Sequence, residues 1–115
     1  MPLVDTTKRD RIRELNDAFR KSFDSKLGRI VMTAGVNSLP SDVKAMAIRK
    51  TAAFDVFTPE NDPHGEHDFG AFELAGQKFF FKLDYYDLSL EYGSEDPADP
   101  KKTMRVLTLM LAEEY

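Results

Sequence analysis

The sequence predicts an α+β domain: a small, mainly antiparallel three- to four-stranded sheet with helices packed on one face, in the order α-β-α-β-β-(β)-α. Three observations lead there. Apolar residues recur at helical spacing near the N-terminus. The stretch "FGAFELAGQKFFFKLDYY" carries two strand-like runs around a turn dipeptide. Between these regions, turn and cap residues introduce a second helical run.

Each element has its own signature. From Thr7 to about Phe23, Ile12, Leu15, Phe19 and Phe23 fall at three- and four-residue steps, an amphipathic helix. Arg13 with Asp17 and Asp17 with Lys21 stand at i,i+4 spacing, each pair worth roughly 0.2–0.5 kcal/mol on a solvated face. Arg9, Arg11 and Arg20 lie off the apolar stripe, where they could meet an acidic partner. Gly28 interrupts the chain, and "RIVMTAGV" (Arg29 to Val36) reads as a short strand rich in β-branched residues. Ser38, Pro40 and Ser41 then introduce a helix from about Pro40 to Phe54, with Val43, Met46, Ala47 and Phe54 inward. Pro59 and Pro63 enforce an irregular connection.

Ala75-Gly76 is a credible two-residue hairpin turn. With that loop, Leu74 faces Gln77, Glu73 faces Lys78 and Phe72 faces Phe79, so the register makes a charge pair and an aromatic pair together. Continued outward, it sets Phe69 against Lys82, Asp68 against Leu83 and His67 against Asp84. Phe79, Phe81, Leu83 and Tyr85 share the core face. A short edge strand is possible near Leu88–Tyr92. Asp99 and Pro100 then look like the cap and first residue of a final helix, whose Val106, Leu107, Leu109, Met110 and Leu111 make it apolar on most sides. Some period-2 alternation there leaves a strand as the alternative. Glu113 and Glu114 would oppose the dipole of such a helix.

Composition narrows the function classes. At 115 residues and 13.1 kDa the chain fits one domain, residues 1–115, with 1–6 expected to be a flexible N-terminus. Hydrophobic content of 42% and charged content of 31% fit a globular fold and not a disordered chain. No apolar run approaches a membrane span and no secretion-signal pattern stands out, so a cytoplasmic location is expected. The absence of cysteine excludes disulfides, thiolate metal sites and a cysteine nucleophile. Charge is unevenly distributed: residues 1–55 hold 11 Lys/Arg against 7 Asp/Glu, and residues 56–115 hold 5 against 13. The acidic half repels phosphate backbones and attracts basic partners.

The chemistry-bearing residues cluster in "NDPHGEHDFG". His64, His67 and Asp68 supply ligand types for a metal, but the spacing matches no established ligand signature. His67 beside Asp84, with Glu66 nearby, would be half of a general-base arrangement. No nucleophile elbow, phosphate-cradling loop or dinucleotide fingerprint accompanies it. The competing account makes His67 and Asp84 a cross-strand pair that fixes where the loop enters the sheet. The aromatics of the second hairpin strand could stack bases, but their neighbours are Asp84, Asp87 and Glu91, so core packing is the better account.

"FDVFTPENDPHGEHDFGAFELAGQKFFFKLDYYD", "LEYGSEDPADP" and "TMRVLTLMLAEEY" resemble a family of small uncharacterised bacterial proteins. That family is a domain of unknown function numbered in the three-thousand-seven-hundreds, common on plasmids and mobile elements. The resemblance spans about residues 10–115. Members of the family tend to carry tyrosine where this chain has His64, which leaves Glu66, His67 and Asp68 as the part to test. The family has no established activity to carry over.

The expectation is therefore a non-enzymatic protein-binding module, a mobile-element accessory or inhibitor acting on a basic or nucleic-acid-binding partner. Asp62, Glu66, His67, Asp68, Asp84, Tyr86, Asp87 and Glu91 are the candidate binding residues. No cofactor, membrane or direct nucleic-acid contact is expected, and the chain should be a monomer or weak homodimer. The alternative is a small metal-dependent hydrolase or nuclease centred on Glu66, His67 and Asp68.

Overall fold

The computed structural model describes residues 6–115; the expectation of a flexible N-terminus falls mostly on residues 1–5, outside that range. The order is α1 (Thr7–Ser22), β1 (Gly28–Met32), α2 (Ala34–Asn37), α3 (Ser41–Ala53), β2 (Phe69–Leu74), β3 (Gln77–Tyr86) and β4 (Met104–Leu111). A 3₁₀ turn, Ala112–Glu114, follows. The strands form one mixed sheet in the order β1-β4-β3-β2, with only the β1–β4 pair parallel.

The hairpin carries the expected register from Phe69↔Lys82 to Leu74↔Gln77. Its turn residues Ala75 and Gly76 both take positive φ, 52° and 75°, the type I′ geometry whose twist suits a hairpin. Phe72 and Phe79 stack with ring centroids 5.3 Å apart. Gly70 has no Cβ for a reason: one built there would collide with the Phe81 and Phe54 rings.

Three expectations need correction. The last long element is a strand, not a helix: Arg105, Leu107, Leu109 and Leu111 point to the buried face in strict alternation. Lying between β1 and β3, β4 is apolar on both sides as central strands are, and two-sided apolarity is also what suggested a helix. Asp99 consequently organises only a turn, its carboxylate accepting from the Lys101 N–H at 2.9 Å. The segment after β3 forms turns with a single bridge, Tyr86↔Gly93, in place of an edge strand. The run from Arg29 to Val36 is a strand only to Met32; Ala34 begins α2.

Phe79, Phe81, Leu83, Leu107, Leu109 and Leu111 form the helix-covered face and pack with Phe19 of α1, Val36 of α2 and Ala47 of α3. The opposite face carries half-buried Phe80, Lys82, Asp84, Tyr86, Met104, Val106 and Thr108, with Tyr115 resting edge-on against Phe69 and Phe80. Glu114 ties the C-terminal turn down, its carboxylate accepting from the Thr33 hydroxyl at 2.6 Å and from the N–H groups of Gly35 and Leu111 at 2.9 Å. Among the described residues no helix is long and apolar enough to cross a membrane.

Candidate functional site

The block "NDPHGEHD" is shaped by its own polar residues. Thr58 and Asn61 bond each other reciprocally, and Asn61 Nδ2 donates to the Val56 carbonyl at 2.9 Å. Asp62 then accepts from the N–H groups of Glu66 and His67, both at 3.1 Å, and is itself only 8% exposed. His67 adopts φ of 56°, a left-handed kink that ends the β2 ladder and turns its ring toward α1. There Nδ1 lies 2.9 Å from Asp17 Oδ1, Nε2 lies 3.7 Å from Asp62 Oδ2, and the ring stacks on Phe57 at 3.8 Å.

That geometry overturns the expected His67–Asp84 pair. Asp84 sits on the other face of the sheet, 2.8 Å from Lys82 Nζ. The ladder continues only to the Leu83 N–H, which donates to the Asp68 carbonyl at 2.8 Å. Beyond that point the kink at His67 removes its side chain from the strand's alternation. The suggested trio of His67, Asp84 and Glu66 is therefore not brought together.

A second network lies alongside. The Tyr85 hydroxyl donates to Glu66 Oε1 at 2.8 Å and accepts from Asn16 Nδ2 at 2.8 Å. Asn16 Nδ2 also donates to the Glu66 carbonyl at 3.0 Å, and Asn16 Oδ1 accepts from Arg105 Nε at 2.7 Å. Arg105 Nη2 donates to the Pro97 carbonyl at 2.6 Å, and its guanidinium lies over the Tyr85 ring. Arg13 closes the loop from outside, donating to the Gly65 carbonyl at 3.2 Å. Burial pushes the Tyr85 phenol far above its ordinary range, and its hydrogen bond to Glu66 adds to the rise. Burial likewise lowers Arg105, and burial followed by Glu66 raises Asp68.

Arg20 completes the anchoring. It is 1% exposed, donates through Nη1 to the carbonyls of Thr51, Ala52 and Phe54, and pairs through Nη2 with Asp17 at 3.0 Å. It is thus the cap of α3 and not a free cation on the helix surface. The expected Arg13–Asp17 and Asp17–Lys21 pairs give way to Arg13–Asp10, Arg20–Asp17 and His67–Asp17.

Asn16, Asp17, Arg20, Tyr85 and Arg105 were not among the residues singled out for the site. A signal did exist for two of them: Asn16 follows Ile12 by four residues and Arg20 precedes Phe23 by three. Arg20 therefore does not lie off the apolar stripe as expected, and a polar residue there has to find buried partners.

The remaining candidates scatter. His64 is exposed, Tyr86 pairs with Met104 across the sheet, and Asp68 is half-buried beside Glu66. Among the described residues no group of three or more His, Asp or Glu side chains is placed to hold a metal ion, the proposed His64, His67 and Asp68 included.

Asp87 and Glu91 belong to a different structure, the loop after β3. Asp87 Oδ1 accepts from the Ser89 hydroxyl at 2.7 Å and from the Glu91 N–H at 3.2 Å, and the Asp87 N–H donates to the Tyr92 carbonyl at 2.8 Å. The Ser89 hydroxyl, followed by the backbone donors, holds the Asp87 carboxyl below its ordinary range. Leu90 is forced to φ of 62°. The framework leaves Leu88, Leu90 and Tyr92 exposed by 59%, 46% and 71%. Glu91 stands among them, and Glu95 beyond pairs with Lys102 at 3.5 Å.

A family model described as "Protein of unknown function (DUF3768)" matches residues 32–114. No curated protein and no solved structure matches the chain.

Proposed function

The chain belongs to the DUF3768 family, whose description assigns no activity, and from the geometry above we propose that it is a non-enzymatic protein-binding module. Its docking element is the loop from Asp87 to Glu95, and its partner is a protein with an apolar pocket rimmed by basic residues. The observation that carries this reading is the loop's construction. The Ser89 hydroxyl and the Glu91 N–H, both donating to Asp87, and a left-handed Leu90 fix a backbone whose apolar side chains Leu88, Leu90 and Tyr92 face outward. Exposed apolar groups gathered on one ordered loop, beside the exposed Glu91 and with Glu95, Lys101 and Lys102 at its far side, are a feature of interaction sites more than of solvated turns.

By contrast, the histidine block supports the loop-and-helix junction. Asp62, Glu66 and His67 spend their polar atoms on Asp17, Asn16, Tyr85 and the backbone. A partner would meet Tyr92 and Glu91 before it met any of them.

Affinity capture from the cells that make the protein tests this, comparing wild type with Leu88→Ala/Tyr92→Ala and with Glu91→Lys. The apolar double variant should lose the captured partner with its melting temperature unchanged. Glu91→Lys should weaken capture most at low salt, because exposed charges are screened within about 8 Å at physiological ionic strength. A partner held equally well by all three proteins would remove the proposal.

A further inference from the structure

We propose that β2 is a self-association edge, on which a second copy of this chain adds its own β2 antiparallel to make a continuous eight-stranded sheet. Edge strands ordinarily carry devices that prevent pairing: lysine, proline, a bulge or short length. β1, the other edge, is five residues long and bears Arg29. β2 is "FGAFEL", six residues with no lysine, no proline and an unbroken register against β3, and its one charge, Glu73, is a carboxylate.

The alternation of the hairpin decides which backbone groups are free. The Leu83 N–H bonds the Asp68 carbonyl, so the hydrogen-bonded positions of this ladder continue at Gly70, Phe72 and Leu74. Phe69, Ala71 and Glu73 therefore aim their N–H and C=O groups outward, where among the described residues they meet no hydrogen-bond partner. Beside this edge runs a groove of about 390 Å³ whose lining includes Phe54, Val56, Ala71 and Phe72 together with the charged Lys50 and Asp55. Val56 stands 63% exposed within it.

The edge is complementary to itself. With Ala71 on a two-fold axis, Ala71 faces the partner's Ala71, and Phe69 faces the partner's Glu73. All outward groups then meet in register, giving about six main-chain hydrogen bonds at two per directly opposed pair. No like charges oppose, and the small Ala71 side chain allows close approach at the axis. Sliding the strands by four residues would instead set Glu73 against the partner's Glu73, which disfavours that alternative. The added strand would lie along the groove and cover Val56. A two-fold contact of this kind closes on itself and stops at a dimer.

The chain has no cysteine, so a single introduced thiol reports on the register. Ala71→Cys places two sulfurs on residues whose Cα atoms are about 5.5 Å apart in an opposed pair, inside the roughly 4.4–6.8 Å that a disulfide spans. Under mild oxidation it should form a covalent dimer. Glu73→Cys should not, since its two copies lie four residues out of register, about 13 Å apart at ~3.3 Å per residue.

In sedimentation equilibrium the wild type should approach the dimer mass at its highest soluble concentration. Ala71→Lys, whose side chain lies on the open sheet face, should raise the dissociation constant by roughly tenfold or more through facing like charges. Amide exchange at Phe69, Ala71 and Glu73 in the wild type should slow as concentration rises, which tests the idea without any variant. A wild type that stays monomeric, as it would if a foreign strand used this edge, overturns the proposal. So does equal crosslinking of Ala71→Cys and Glu73→Cys.

Discussion

Arg20→Met asks the most of the fold. The methionine keeps much of the packing against Phe57 and Phe81 but removes donors to three carbonyls, those of Thr51, Ala52 and Phe54, and to Asp17. Leaving a buried acceptor without its donor costs about 1–3 kcal/mol, and breaking a buried ion pair about 3–5 kcal/mol. Two effects reduce that total. Asp17 keeps His67, and the substitution also removes Nε, a buried donor with no partner among the described residues. The expected net loss is about 3 kcal/mol, against about 5–15 kcal/mol for a whole domain. In urea this lowers the midpoint by about 2 M at a slope near 1.5 kcal/mol/M, with the slope itself unchanged. Arg20→Lys keeps the charge but not the planar fork that reaches several carbonyls at once, so it should recover only part of the loss. A stability within about 1 kcal/mol of wild type for Arg20→Met would refute the capping role. It would place Arg20 among the buried ions that an apolar isostere replaces at no cost.

Two carboxyls should give stability pH dependences of opposite sign. Glu114 is held below its ordinary range by the Thr33 hydroxyl, then by the Leu111 and Gly35 N–H groups. Its contribution is present above the ordinary carboxylate value and lost as pH falls through its folded value, so Glu114→Gln should flatten the acid limb of a melting-temperature profile. Asp68 is raised by burial and by Glu66; its contribution is present at acid pH and lost as pH rises through its folded value. Asp68→Asn should therefore gain stability at neutral pH relative to wild type. Ala75→Asn, at φ of 52° in the hairpin turn, should stabilise by about 0.5–1 kcal/mol in chemical denaturation, because asparagine tolerates that conformation better. Leu90→Gly should relieve a similar strain of about 1 kcal/mol, while the partner captured by wild type is lost.

What could be read from the sequence was what neighbouring residues decide among themselves. The hairpin register followed from a two-residue turn flanked by Glu73/Lys78 and Phe72/Phe79, and each of those pairs is in place. The helical stripe of α1 was equally local, whereas on α3 Ala47 alone of the expected Val43, Met46 and Ala47 joins the core, with Ile48 packed beside it and Thr51 buried. The last strand was harder, since a run apolar on both sides has no single period, and only its place between β1 and β3 makes it a strand. The histidine's partner could not be found from the hairpin at all. Asp17 lies fifty residues away on α1, and His67 reaches it through a backbone kink that a non-glycine residue rarely adopts.

The uneven charge of the two halves has to be read through the same lens. An acidic residue contributes to a surface field only if the fold has not already used it, and here Asp62 caps two backbone N–H groups while Glu66 holds Tyr85. Reversing them would unfold the junction before it disturbed any partner. The non-glycine residues in left-handed conformation make the distinction sharper. Phe23 ends α1, His67 aims a ring at Asp17, and Ala75 turns a hairpin, so each strain is matched by a contact or a topology. At Leu90 the kink belongs to the turn in which its N–H donates to the Asp87 carbonyl at 3.0 Å and the chain returns to the Tyr86↔Gly93 bridge. It also leaves an apolar side chain 46% exposed. A strained residue persists only where its surroundings over-determine it. Among the described left-handed residues, Leu90 is the one flanked by two further exposed large apolar side chains, Leu88 and Tyr92, which is why the search for a partner should begin at that loop and not at the histidines.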